Sequence, residues 1–390
     1  MAAALRVAEV IRSCWESYNR TYPLPPHVVK AVRHILRCRT AALGGHIHRC
    51  DRCGSEVPLY NSCQTRHCPS CQTSAKEAWL DARLAEVLPV QYFHVVFTLP
   101  HRLNALVDAN RTLLLGELFG VVNWVLQRFA RDPQWRLEGQ LGFLAILHTW
   151  TQRLRTHFHV HAIVPGGVWR AAAQQWVPCR GQWLFGKDPL AEAFRNRFLK
   201  RLCALRRGGK LAYGGRAAPL ADEATWQRLI HALAAERWGV YPKPAPADPA
   251  VALDYVARYT HKVAIGDSRI KAIADGQVTY AWRDRAADNV EKLETIPVEL
   301  FTRRFLAHIL PEGFHKIRYF GWMAAANRKE TLAAIRQALH VEAPPAAPRE
   351  SLAARLLRQT GVDITLCPHC GQGHLHPTHR LLLPYRGQAP

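Results

Sequence analysis

The sequence predicts an α+β fold: an antiparallel or mixed sheet carrying helices, preceded by a helical head with a metal ribbon and followed by a short tail. Three observations predict it. Apolar β-branched and aromatic runs alternate with segments of helical periodicity through the middle of the chain. Cysteine pairs stand before and after that middle, in stretches without apolar periodicity. Lys and Arg number 52 against 30 Asp and Glu, a formal net charge of +22, which calls for a partner of dense negative charge, nucleic acid above all.

The elements follow in order. Ala8, Ile11, Trp15 and Tyr18 recur at helical spacing, as do Val28, Val32, Ile35 and Leu36, so residues 5–38 read as two helices parted by Pro23-Leu24-Pro25-Pro26. A Cys- and His-dense stretch follows over 46–72, then a helix near 73–87. Tyr92 to Leu99, closed by Pro100, reads as a buried strand. A long helical pattern fills 102–130. Strands are expected over 142–150 and 157–164, the second closed by Pro165-Gly166-Gly167. Helices are expected near 188–206, 222–237 and 250–260, with a Pro-rich connection over 241–249. Asp275-Gly276 marks a hairpin turn between 269 and 283. A helix at 297–309, a strand at 316–322 and a helix at 326–339 close the compact part. The expected domains are 1–88, a helical segment with a zinc-binding ribbon; 89–342, the mixed middle; and 343–390, a linker and a tail with its own cysteine pair.

Composition limits the function classes. The most apolar stretch, Leu113 to Ala130, is interrupted by Glu117, Asn123, Gln127 and Arg128, so a membrane span is not expected. Arg6, Glu9 and Arg12 stand where a signal peptide needs apolar residues. The reading is a cytoplasmic protein whose 11 Cys are thiols or metal ligands.

Cys50-x2-Cys53 and Cys68-x2-Cys71 lie about a dozen residues apart, a spacing that delivers four thiolates to one structural Zn²⁺. Cys63, His67, His46 and His48 stand beside them as alternative ligands, or as packing and DNA contacts. Cys367-x2-Cys370 is half of another knuckle, with His374, His376 or His379 as candidate partners. Cys14, Cys38, Cys179 and Cys203 read as buried small residues.

On a strand, His157, His159 and His161 share one face, with Phe158, Val160 and Ala162 on the other. Imidazoles at that repeat suit one divalent cation, Mn²⁺ or Mg²⁺ among others, when oxygen donors complete it. His148, Gln152 and His157 are candidates for a third ligand. Tyr255 and Tyr259 are four apart and fall on one helix face, about 6 Å apart along its axis. Tyrosines at that spacing are ordinarily packing. Together with the histidine strand and the charge they become candidate nucleophiles toward a phosphodiester, with Arg258, His261 and Lys262 placed to hold its backbone.

These motifs, in this order, resemble the HUH-type rolling-circle transposases of bacterial insertion sequences, the paired-tyrosine kind with an N-terminal zinc-binding domain. The likeness is carried by Cys50-x2-Cys53, Ser62-Cys63, Arg66-His67-Cys68-Pro69-x-Cys71-Gln72 and Val95 to Pro100. It continues through His157-x-His159-Val160-His161 into Ile163 to Gly167, through Tyr255-x3-Tyr259-Thr260-His261-Lys262 to Ile265, and through Leu310-Pro311-x-Gly313-Phe314. It covers about residues 40–340. The resemblance implies an HUH endonuclease-like antiparallel sheet flanked by helices, with 89–342 as the nuclease and strand-transfer domain. It implies His159 and His161 as the metal-binding pair and Tyr255 and Tyr259 as nucleophiles. The implied partners are the single-stranded DNA ends of a mobile element and its target, and the implied reaction is nicking through a 5′-phosphotyrosine followed by strand transfer. Two other functions fit the residues alone: a zinc-ribbon DNA-binding regulator without catalysis, and a metal-dependent phosphodiesterase that uses water.

Overall fold

The computed structural model describes residues 5–71, 79, 83, 86–181, 184–245, 264–284, 286–324, 326, 328–343, 350–351, 353–354, 357–358 and 361–381. The chain divides into two compact units. One is built from Met1–Ala78, His261–Ile309 and Ala346–Pro390, the other from Trp79–Thr260 and Leu310–Pro345. The sequence reading expects consecutive domains; each unit is instead assembled from separated segments, joined by pairing of Gly45–Cys50 with Leu375–Leu381 and of Gly142–Trp150 with Ile317–Gly321, and by packing of the helices Val7–Thr21 and Val298–Leu306.

In the first unit, α1 (Val7–Thr21) buries Val7, Ile11, Cys14 and Tyr18, one helical stripe. It packs on α7 (Val298–Leu306), which buries Phe301, Thr302 and Phe305, and Cys14 Sγ lies 3.3 Å from Thr302 Oγ1. Helix α2 (Pro26–Arg37) starts on Pro26, whose fixed φ suits a first helical turn. The Asp275-Gly276 turn joins β9 (Ile270–Ala274) to β10 (Gln277–Asp284), both turn residues having positive φ, as a twisted two-residue hairpin requires. A third strand, β11 (Val290–Pro297), completes that sheet. The thiol-rich stretch forms β1 (Gly45–Cys50) and β2 (Glu56–Tyr60). On the other edge of β1 lies β13 (Leu375–Leu381). The tail is therefore a strand of the ribbon and not a separate appendage.

The second unit is a five-stranded antiparallel sheet in the order β12 (Ile317–Gly321), β4 (Gly142–Trp150), β5 (Thr156–Pro165), β3 (Tyr92–Thr98) and β8 (Gly239–Pro244). Strand alternation gives it two unlike faces. Phe93, Val95, Phe97, Phe143, Leu147, Phe158, Val160 and Ala162 point to one side. There they meet α3 (Asn104–Ala109), α4 (Arg111–Arg131), α5 (Lys187–Arg207) and α6 (Glu223–Ala235), which bury Leu118, Val122, Phe194, Phe198 and Leu233 in the same core. Of the described helices, only α4 is long and apolar enough to cross a membrane, and 61% of its apolar window is buried. The opposite face carries Tyr92, Leu144, Ile146 and Ile163, and beside them the histidines. A hairpin of β6 (Gly167–Arg170) and β7 (Gln175–Pro178), and α8 (Arg328–Ala338), pack around Trp169, Trp176 and Trp322.

Two departures from the sequence reading have local causes. The long helix expected over 102–130 is broken at Asn110, whose amide donates to the carbonyls of Leu106 and Ala212 and accepts from Ala212 N. The Pro-rich connection begins inside β8, which runs to Pro244. Ala245 N donates to Tyr92 O, so the N–H direction alternates to put the missing donors of Pro242 and Pro244 on the outer edge, where an edge strand tolerates them.

Candidate metal centres

The imidazole cluster arises from pairing two strands. His148 on β4 stands directly opposite His159 on β5, and His161 follows on the same face. The ring centroids lie 4.3 Å apart for His148 and His161, 5.4 Å for His148 and His159 and 4.9 Å for His159 and His161. One ligand nitrogen from each falls within 4.8 Å of the others. His148 and His161 are buried and His159 is half-buried, so the cluster opens on the His159 side. Trp150 stacks on His148 at 4.8 Å.

The surrounding hydrogen bonds orient the rings. His159 Nδ1 lies 2.9 Å from His157 O; a carbonyl only accepts, so Nδ1 carries the proton and Nε2 carries the lone pair that could bind a cation. His94 on β3 stacks on His161 at 4.9 Å, with its Nε2 2.7 Å from His161 Nδ1. Burial, assisted by the charge of Lys243, pushes His94 down to about 4, so His94 is neutral near pH 7 and suited to accept the Nδ1 proton of His161. This is the outer support expected of a histidine ligand. The donor set fits a divalent transition cation. Three nitrogens suit Mn²⁺ better than Mg²⁺, which prefers oxygen.

The structure changes the third histidine. His157 shares the face of His159 and His161, as the alternation requires, and its ring lies 4.8 Å from that of His159 and 4.9 Å from that of His101, but it is outside the set of converging nitrogens. The residue that joins the pair is His148, from the neighbouring strand. Tyr255, Tyr259, Arg258, His261 and Lys262 lie outside the described residues.

The cysteines are corrected more deeply. Cys50, Cys53, Cys68 and Cys71 do not converge on one point. Cys38, Cys63, Cys68 and Cys71 form one cluster, and Cys50, Cys53, Cys367 and Cys370 form another. Tetrahedral zinc at about 2.3 Å from each sulfur requires sulfurs about 3.8 Å apart. Cys63 and Cys71 are 3.8 Å apart, Cys50 and Cys370 3.7 Å, and Cys53 and Cys367 3.8 Å. Each set therefore fits one zinc ion. Gly373 admits the second knuckle: a Cβ there would fall 2.5 Å from Cys50 Sγ. Hydrogen bonds from Cys63, Cys68 and Cys71 hold Cys38 below the ordinary thiol range, while Cys68 is pushed up by its bond to Cys38. His374 and His376 do not join this cluster; the His374 ring Nδ1 lies 3.0 Å from Thr365 Oγ1 and the His376 ring Nε2 lies 3.3 Å from Asp51 Oδ2. Cys38 gave no sequence signal, because it stands alone between Arg37 and Arg39 at the end of α2, with no second cysteine at knuckle spacing; only its approach to Cys63 reveals it.

A sheet bearing an imidazole cluster, joined in one strongly basic chain to two four-thiol knuckles, defines a metal-binding protein that acts on a polyanion. Comparison with known proteins says which. Residues 142–331 match the family described as "Putative transposase", and residues 10–99 match the family described as "Transposase zinc-binding domain". The chain is 40% identical over 375 residues to "Putative transposase y4qJ" of Sinorhizobium fredii, covering 95% of this chain and 94% of the relative. It is 28% identical over 370 residues to "Transposase for insertion sequence element IS801" of Pseudomonas savastanoi pv. phaseolicola, covering 92% and 85%. No solved structure matches. The chain belongs to this family of insertion-sequence transposases, a family of DNA-processing enzymes with a zinc-binding domain.

Proposed function

We propose that this transposase nicks and joins single-stranded DNA in the cytoplasm, with a tyrosine as nucleophile and a divalent cation on the imidazole cluster. The observation that carries the reading is the convergence of His148, His159 and His161 on a half-open sheet face of a transposase. The phenol oxygen of Tyr255 or Tyr259 attacks phosphorus, the bond to the 3′ oxygen breaks, and that oxygen leaves as a 3′-OH with a proton. The 5′-phosphate stays linked to tyrosine until the 3′-OH of another strand reverses the step. Bond energy is conserved throughout, so no nucleotide cofactor is required. Mn²⁺, or Mg²⁺ more weakly, would be held by the three imidazoles, where a bound cation withdraws charge from phosphorus. His157 O fixes the ring of His159 and His94 that of His161, while Arg258, His261 and Lys262 bind the strand. Two tyrosines allow two cleaved ends to be held at once.

The test incubates the full chain and Mn²⁺ with labelled single strands from the DNA flanking its own gene, then denatures the mixture. A covalent protein–DNA band that disappears in the Tyr255→Phe, Tyr259→Phe double variant is expected. Cleaved DNA without such a band would mean that water is the nucleophile, and binding without cleavage would leave a regulator.

A further inference from the structure

The nicking reaction uses the imidazole face of the five-stranded sheet and leaves the helical side without a task, yet that side carries an open basic groove. It runs between α4 and α5 with a volume of about 980 Å³. Gly116, Gly120 and Trp124 succeed one another at one-turn intervals along α4 and line it. Glycine weakens a helix interior, and a Cβ at either glycine would meet nothing within 4 Å. No packing among the described residues therefore calls for these glycines. Their effect is to keep the groove wide enough for a backbone to approach the helix.

The walls are cationic. Arg201 on α5 is held by two bonds of 2.7 and 2.8 Å to Glu117, whose carboxyl that guanidinium keeps below its ordinary range. The other lining carboxylate, Asp132, is turned to accept from Gln134 N at 3.0 Å. Among the described residues, Arg128, Arg131 and Arg197 pair with no carboxylate. The guanidinium of Arg197 lies 4.4 Å from the centre of the half-buried Trp124 ring and that of Arg128 lies 5.2 Å from it. Guanidinium forks match phosphate oxygens, and an indole offers a surface on which a base can stack. Both needs are met together only by a polynucleotide whose bases are unpaired. A helix of another protein would fit the glycine stripe but would leave these guanidiniums without counter-charge.

We propose that the α4–α5 groove is a second binding site for single-stranded DNA, with Arg128, Arg131 and Arg197 on backbone phosphates and Trp124 stacked on a base. It lies on the side of the sheet away from the imidazoles, so it binds a length of strand other than the one being cut. The inference rests on the single-strand reading above and extends it.

The test measures binding of a fluorescent oligothymidylate, and of a duplex of equal length, to the full chain as salt is raised. Each single-strand phosphate contact contributes about 0.7 to the slope of log affinity against log salt. The Arg128→Gln, Arg131→Gln, Arg197→Gln variant should lose about 2 from that slope and at least tenfold in affinity at low salt. Gly120→Leu keeps every charge, favours the helix and fills the groove; it should weaken oligothymidylate binding at unchanged slope, and it decides the matter if the triple variant does not fold. Unchanged affinity and slope in these variants overturn the site. An equal loss of duplex affinity overturns the single-strand assignment. A wild-type chain that binds no oligothymidylate sinks both this inference and the function it rests on. Normal binding by the groove variants, while His161→Ala blocks the covalent band, sinks the groove alone.

Discussion

The imidazole cluster and the thiol clusters hold their ligands by opposite means. The imidazoles stand on the interior of a hydrogen-bonded sheet whose other face is a phenylalanine- and valine-rich core. Their positions follow from strand register, and their rings are oriented by His94 and by a carbonyl. The thiols bring together a helix end, a loop and, in the second set, a pair more than 300 residues further along. At the second set, among the described residues, Cys50, Cys367 and Leu375 form a small buried cluster, with Val57 and Cys370 against it. A metal at the imidazoles would meet a site already built; a metal at the thiols would do much of the building.

Removing each metal tests that contrast most severely. Structural zinc contributes on the order of 10–16 kcal/mol in small zinc domains. We expect elemental analysis to give two zinc ions per chain. Cys38→Ser should lose one and Cys367→Ser the other, the latter freeing residues 361–381 to proteolysis. A chain with a single zinc that Cys367→Ser leaves in place would break the contrast. Removing Mn²⁺ should leave the circular dichroism spectrum unchanged.

The next largest effect separates the two faces of the sheet. Phe158→Ala empties a fully buried site and should cost about 3–5 kcal/mol by denaturant unfolding. His159→Ala, one residue further on the open face, should change stability far less. Equal losses would mean that both faces are structural. For activity the order reverses: His161→Ala, His148→Ala or His159→Ala should lower cleavage on the order of 100-fold or more at unchanged zinc content. The smallest effect is assigned to His157→Ala, about tenfold or less, since its side chain stands outside the triad and its carbonyl survives the change. A larger loss at His157 than at His148 would return the third ligand to the position that strand alternation alone suggests.

Much of this was legible without coordinates. The strands at 92–98, 142–150 and 156–165, the first two helices and the Asp275-Gly276 hairpin follow from period and turn chemistry, which act within a few residues. The shared face of His159 and His161 follows in the same way. His148 was only one candidate among three, because the register that sets it opposite His159 is a property of two strands and not of one.

The sequence by itself determined which residues alternate, where the chain turns, which short motifs carry metal-binding chemistry, and that the whole must meet a polyanion. Each of those is encoded over a span shorter than one secondary-structure element, or summed over the chain. Tertiary structure alone decided the partners. It split Cys50 and Cys53 from Cys68 and Cys71, recruited Cys38 and the distant Cys367–Cys370 pair, set His148 in the triad and left two glycines of α4 facing open space. Ligand sets and grooves are closed by residues far apart in sequence, and the free energy that joins them comes from strand pairing and core packing, which no local pattern records.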